Sequence, residues 1–464
     1  MALGDSDYLV IFGISGDLAY KMTLPSLYRL EKRGLLTVPV LGVAANEWGP
    51  DGLANRARAA ISEHAGEPLD EKVFSRLMAK MTYISGDFGN EDLYHEVAAA
   101  LAGVSAPCFY LEIPPSLFDR VAQGLGAVGL FKGNARLVVE KPFGYDRASA
   151  AALADELHLV VSEEQLFRID HFLGKEPVQD ILYLRFANSL LEPLWSRRHV
   201  RSIMITMAEQ FGVEDRGHFY DPVGALRDVV QNHLLQILAL TGLEPPTGGS
   251  VTSRRLDFFR GVEAADPKHV VRGQYDGYLQ VPGVAKHSDT ETFVALRLAI
   301  DSWRWSGVPV LIRTGKKMPM TATEIVVRLQ PPPKVSLSGH TIRYAGHDDI
   351  VLRIGTNAGV GVSLRVKQPG VDKAAPQLLN VDFGATLGYM PTPYERLLTD
   401  AMRGDHTLFP DQSTEDETWR IVEPILNDPP KAQGYRPGTW GPQAAIDMAR
   451  SVGGWREPEA QTDG

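Results

Sequence analysis

Tyr8-Leu9-Val10-Ile11-Phe12-Gly13-Ile14-Ser15-Gly16-Asp17-Leu18-Ala19 is the stretch that decides how this chain begins to fold. Five consecutive apolar residues, short and rich in β-formers, read as a strand buried on both faces. The strand stops at Gly13. Residues 18–32 then carry a helical pattern, with Pro25 a candidate kink and Gly34 a candidate stop. Glycines at a strand-to-helix turn let the backbone come close to a pyrophosphate, and the helix start offers unpaired N–H groups. The spacing is GxxGxxA rather than GxGxxG, so the turn alone also suits an ordinary tight loop. Its place after an apolar strand and before a helix favours a dinucleotide site, with Gly13, Ser15, Gly16, Asp17 and Leu18 as contacts.

Further apolar runs follow at 38–43, 81–85, 108–113 and 135–140, with helical patterns such as 93–101 and 117–125 between them. Strand and helix in alternation predict a parallel sheet with crossover helices, a first domain over 1–170. The end of the second strand reports coenzyme choice, because an acid there holds ribose hydroxyls and an arginine accepts the NADP phosphate. Ala44, Ala45, Asn46 and Glu47 stand there, without an arginine. Asn46 or Glu47 suits a ribose, so the stretch leans toward NAD unless another loop supplies a phosphate ligand.

The rhythm changes later in the chain. Residues 223–243 read as one long apolar helix. Strand patterns at 292–300, 308–314, 323–329, 350–354 and 359–367 have few helices between them. They predict a large, mainly antiparallel sheet in an α+β domain over 171–464.

Composition narrows the function. The 464 residues include 47 basic and 57 acidic ones, a formal charge of -10, with both signs mixed. Such a chain is not expected to bind nucleic acid. One cysteine, Cys108, excludes an intrachain disulfide scaffold and a four-thiolate zinc site, and reads as a small core residue. Neither a signal-peptide pattern nor a run of about 20 apolar residues occurs, so a cytoplasmic protein without a membrane partner is expected. The histidines show no metal-ligand spacing, and no metal is expected.

Reactive side chains concentrate in RIDHFLGKE (168–176) and DVVQNH (228–233). A histidine, a carboxylate and a lysine together can orient a general base and bind an anion. His233 lies one turn from Val229 and Ile237 and is expected to face inward, which suits a core histidine as well as a base.

With GISGDLAYK (13–21), EKPFG (140–144) and VGALRDVVQNH (223–233) added, the chain resembles the glucose-6-phosphate dehydrogenases, with the motifs in that family's order and spacing. WRWSGVPVLIRTGK (303–316) and PTPYERLLTDAMRGD (391–405) extend the resemblance over nearly the whole chain. It implies a Rossmann-type doubly wound domain followed by a larger α+β domain. It implies hydride transfer from C1 of glucose 6-phosphate to NAD or NADP, the first step of the oxidative pentose phosphate pathway, and assembly as a homodimer or homotetramer through the sheet. By the same resemblance His233 is the general base and Asp170 its orienting carboxylate. His171 and Lys175 bind the substrate phosphate, and Glu209, Asp228 and Lys316 bind the sugar. Lys141 and Pro142 place substrate and nicotinamide, while Ala45 and Asn46 lie at the coenzyme ribose.

Four positions depart from the family pattern. Met22 stands where a substrate-side lysine is usual, with Lys21 one residue earlier and so rotated by about 100° on a helix. Ala45 replaces the NADP-phosphate arginine, Thr321 a second substrate-side lysine, and Phe172 a tyrosine. Each lost charge-assisted bond costs roughly 1.5–3 kcal/mol of binding. Two other readings stay open on these grounds: the same oxidation of a modified, for example amino, hexose 6-phosphate, and a weakly catalytic paralogue that binds sugar phosphate.

Overall fold

The computed structural model describes residues 5–459 except 50, 334, 335, 338, 339, 342, 345, 356 and 372. The opening strand is β1, Tyr8–Phe12, and it lies inside a six-stranded sheet of order β3-β2-β1-β4-β5-β6. The other members are β2 (Val40–Ala44), β3 (Met81–Ser85), β4 (Pro107–Leu111), β5 (Arg136–Glu140) and β6 (Leu166–Ile169). All five pairings are parallel, as crossover helices require. Val10, Phe12, Phe109, Leu111, Leu137 and Val139 point to one face, where they pack with Val97, Val121 and Leu125 of the covering helices. Cys108 is fully buried in β4, and burial pushes its thiol up to about 12, as fits an inert core residue.

The chain forms two compact units. The first comprises 1–176, 250–252 and 391–416; the second comprises 177–249, 253–390 and 417–464. The sequence pattern groups 391–416 with the second domain, yet this segment lies in the first unit. The helix Pro393–Arg403 explains the return. A Thr392/Glu395 capping box starts it, Gly404 in the left-handed region ends it, and Leu397, Leu398 and Ala401 are buried. The Met402 carbonyl accepts from the Ser6 N–H at 2.7 Å and from the buried Arg136 guanidinium.

The second unit is built on a ten-stranded sheet. Its strands are β7 (Val200–Ala208), β8 (Val270–Tyr275), β9 (Phe293–Leu298), β10 (Val310–Gly315), β11 (Ala322–Leu329), β14 (Arg343–Tyr344), β15 (Asp349–Arg353), β16 (Gly359–Lys367), β17 (Lys373–Asp382) and β18 (Gln433–Tyr435). β12 (Ser336–Leu337) and β13 (His340–Thr341) pair separately. The order is β14-β17-β16-β15-β11-β7-β10-β9-β8-β18, antiparallel except at β14–β17, β7–β10 and β8–β18. β6, β7, β8 and β17, and the short β12, β13, β14 and β18, go beyond the strands that the pattern predicts. Arg272 and Gly273 interrupt β8, and Pro376 with Asn380 interrupts β17, so neither presents a continuous apolar run.

The predicted helix over 223–243 also differs in detail. Helical winding starts after Gly224, runs with wide i→i+5 turns over Leu226–Leu234, and becomes α-helical over Leu235–Gly242. Among the described residues no helix is long and apolar enough to cross a membrane.

Candidate active site

In the first unit the glycine turn is shaped by contact with β4. Gly13 has φ +89°, and a Cβ on it would stand 2.2 Å from the Glu112 carbonyl oxygen, so only glycine fits. Its N–H donates to the Val43 carbonyl at 2.7 Å, and the Gly16 N–H donates to the Gly13 carbonyl at 2.8 Å. Ser15, Asp17 and Leu18 complete the turn into the helix. This cradle fits a dinucleotide pyrophosphate, which needs close backbone approach at a strand end. Ala45 and Asn46 are exposed beyond β2. The Asn46 carbonyl accepts from Tyr83 Oη at 2.6 Å and Ser85 Oγ at 3.0 Å, and the Trp48 ring stacks on Tyr83 at 4.9 Å. Lys141 and Pro142 follow β5 directly, joined by a cis peptide bond.

Beneath this surface lie two carboxyls. Thr23 Oγ1 donates to Glu112, and Tyr110 Oη donates to Glu140 Oε1 at 2.6 Å. Burial pushes Glu112 up to about 8, an effect that the Thr23 bond opposes and neighbouring Glu140 reinforces. Burial likewise pushes Glu140 up to about 7, against the hydrogen bonds from Tyr110 and Tyr394 and the charge of Lys141.

Asp170, His171 and Lys175 share one tight turn after β6. Asp170 is 3% exposed, and its Oδ1 accepts the Phe172 N–H at 2.9 Å. The Lys175 ammonium sits 3.4 Å from the centroid of the Phe172 ring, and His171 meets that ring edge-on at 5.0 Å. The phenylalanine that replaces the usual tyrosine therefore holds the lysine through its π-face.

In the second unit Glu209 follows β7 and Lys316 follows β10, strands that run parallel in register. The Lys316 ammonium bonds Glu209 Oε2. Lys316 and Asp228 line a cavity of about 250 Å³ together with Phe211, Arg216, Phe219 and Tyr220. Glu214, which lines the cavity, and Lys317 both have left-handed backbones, at φ +53° and +52°, and pair with each other at 3.2 Å. Two non-glycine residues in the left-handed region this close together mark a costly local backbone shape beside the cavity. His233 is 2% exposed on the same wide-turned segment as Asp228 but is not among the residues that line the cavity. Thr321 Oγ1 accepts the Gln210 N–H at 3.1 Å, so this departure fixes the residue after Glu209. Lys21 pairs with Asp17 at 3.8 Å on the surface, and Met22 is 46% exposed.

Sequence patterns did not single out Arg56, Thr23, Phe211, Arg216 or Tyr220. Glu112 carried a signal, as the one acid in the apolar run 108–113.

Residues 10–180 match the family described as glucose-6-phosphate dehydrogenase, NAD binding domain, and residues 182–456 match its C-terminal domain. The chain belongs to the glucose-6-phosphate dehydrogenase family. It is 46% identical over 458 residues to glucose-6-phosphate 1-dehydrogenase 1 of Mycobacterium tuberculosis, covering 98% of this chain and 97% of that one. It is 40% identical to the Aggregatibacter actinomycetemcomitans enzyme, with 97% of each covered. A solved glucose-6-phosphate 1-dehydrogenase from Mycobacterium avium superposes with TM-score 0.91 at 47% identity, over 99% of this chain and 100% of that one. A glucose-6-phosphate dehydrogenase solved with glucose 6-phosphate superposes with TM-score 0.89 at 29% identity, over the same shares. The glycine turn thus lies in the part matched to the family's NAD-binding domain, and NAD or NADP is the coenzyme. Glu209, Asp228, His233 and Lys316 lie in the part matched to its C-terminal domain.

Proposed function

We propose that the chain is a glucose-6-phosphate 1-dehydrogenase. The observation that carries the reading is Lys316, which bonds Glu209 and lines one cavity with Asp228, so that both charge signs face sugar hydroxyls there. When bound, the coenzyme's nicotinamide ring accepts the hydride from C1. His233 takes the O1 proton, C1 and O1 become a carbonyl, and the product is 6-phosphogluconolactone. Asp170 orients His233 and balances the charge that the ring gains. His171 and Lys175 hold the phosphate remote from C1, which supplies binding energy for orientation. Lys141 and Pro142 align substrate and nicotinamide.

The reading includes a cytoplasmic homodimer or homotetramer. Leu364, Val366, Leu379 and Val381 lie on one face of the β16–β17 ladder, each more than 40% exposed, which suits burial against a second copy.

Initial rates of coenzyme reduction with glucose 6-phosphate test the activity. His233→Asn is expected to lower kcat about 10²–10⁴-fold. Equal rates for both proteins would remove the base assignment. Turnover with glucosamine 6-phosphate alone would move the substrate to a modified sugar.

A further inference from the structure

We propose that Arg56 selects the coenzyme, binding the 2′-phosphate of NADP in place of the arginine that position 45 lacks; this rests on the dehydrogenase reading above. Arg56 lies one turn into the helix Gly52–His64, which follows β2. Its side chain reaches back to the glycine turn, where Nη2 donates to the carbonyls of Ser15 at 3.0 Å and Gly16 at 3.4 Å. The guanidinium lies 4.1 Å from the centroid of the Tyr20 ring, and Tyr20 Oη is fixed in turn by Glu63 at 2.7 Å.

Three features describe this arginine. Both carbonyl partners are neutral, and no carboxylate forms an ion pair with Arg56 among the described residues, so its charge stays uncompensated. Nε is buried without a hydrogen-bond partner. The fully buried Arg185 likewise bonds two carbonyls and has such an Nε, but Arg56 differs in being partly exposed at the coenzyme turn and in having no ion pair among the described residues, whereas Arg185 lies 3.6 Å from Glu192. A guanidinium anchored through one nitrogen, with donors to spare, matches the geometry of a phosphate. The charge also stands at the coenzyme turn, whereas the Ala45 methyl group offers a phosphate nothing. Lys21, the other cation of the turn, is already paired with Asp17.

The test is calorimetric binding of adenosine 2′,5′-bisphosphate and of 5′-AMP to the full-length chain, a readout independent of turnover. Native protein is expected to bind the bisphosphate at least about 10-fold more tightly, a difference of about 1.4 kcal/mol. Arg56→Ala should lose that preference and leave 5′-AMP binding unchanged. Arg56→Lys should restore part of it. Arg56→Gln, which keeps a donor for the carbonyls without the charge, should behave as Arg56→Ala and should melt like the native protein. In the kinetic arm, the KM for NADP should rise in Arg56→Gln while that for NAD stays constant. Equal losses for both nucleotides would make Arg56 a clamp of the turn and overturn the proposal, as would a native protein without preference for the bisphosphate. A retained preference in a chain that fails to oxidise glucose 6-phosphate would leave this inference standing and remove the substrate reading alone.

Discussion

Glu291 Oε1 accepts the Leu226 N–H at 3.0 Å, at the first turn of the segment that carries Asp228 and His233. The Glu291 backbone carbonyl accepts the Ala225 N–H at 3.0 Å as well. Arg272 fixes the same carboxylate from behind, with Nε at 3.0 Å and Nη2 at 2.8 Å from Oε2. Gly224, at φ +72°, permits the approach, since a Cβ there would stand 2.5 Å from Glu291 Oε1. A carboxylate at this end also faces the positive end of the helix dipole. The segment that carries Asp228 and His233 is thus anchored to β8 and to the start of β9.

Removal of that anchor should therefore be costly. Glu291→Ala leaves the buried Arg272 without its main partner and is expected to destabilise the chain by about 3–5 kcal/mol. Urea unfolding measures it. A loss below about 1 kcal/mol would show that Asp289, 2.9 Å from Arg272 Nη1, suffices as partner.

The raised carboxyl of Glu112 predicts a pH dependence. A carboxyl raised in the folded state keeps its proton while the unfolded chain has already released it, so unfolding is favoured as pH rises. The stability tied to Glu112 is full below its ordinary value of about 4.5 and is lost as pH rises through about 8. The native urea midpoint should fall from pH 5 to pH 8, and Glu112→Gln should fall less. Parallel curves for the two proteins would count against a neutral Glu112.

Phe172 should act through Lys175. With the ammonium 3.4 Å from the ring centroid, loss of the ring removes about 0.5–2 kcal/mol of positioning. Phe172→Leu is expected to raise the KM for the sugar phosphate about 2–30-fold with kcat nearly unchanged. A fall in kcat at constant KM would assign the ring another role.

Arg313 joins the C-terminal stretch to the second sheet. Its guanidinium lies 4.5 Å from the Trp440 ring and 4.5 Å from the Trp455 ring, with Nε bonded to Thr206 at 3.0 Å and Nη2 to the Arg456 carbonyl at 3.1 Å. Burial lowers its pKa to about 9. Arg313→Ala should cost about 2–4 kcal/mol, combining the π contacts with two hydrogen bonds. It should also change the tryptophan emission and speed proteolysis near residue 455. Native-like emission together with native-like stability would refute the clamp.

Much of the first sheet is legible in the sequence. β1 to β5 are apolar runs whose pattern depends on a few neighbouring residues, and Gly13 marks a turn whose chemistry is equally local. β6 is harder to read, because its residues open the RIDHFLGKE motif and the reactive side chains draw the attention. β8 escapes because Arg272, buried with the carboxylates of Asp289 and Glu291 as partners, and Gly273 interrupt its apolar run, and β17 escapes because it is largely exposed and so admits Pro376 and Asn380. At the candidate site the motif residues Asp170, His171, Lys175, Glu209, Asp228 and Lys316 are readable through family resemblance, since motif spacing survives where contacts are not visible.

By itself the sequence determined the strand–turn–helix start, the change from parallel to antiparallel sheet, and the family, and it named the candidate reactive residues. These follow from local periodicity, turn chemistry and motif order, which are properties of neighbours along the chain. Only the tertiary structure decided that 391–416 packs with the first unit, that Glu112 is a half-buried and Glu140 a buried acid, that Phe172 holds Lys175, and that Arg56 reaches the glycine turn. Burial and charge pairing depend on which distant residues the chain path brings into contact. Arg56 and Ser15 are 41 positions apart, and Arg136 and Met402 are 266 apart. No periodicity along the chain encodes separations of that size.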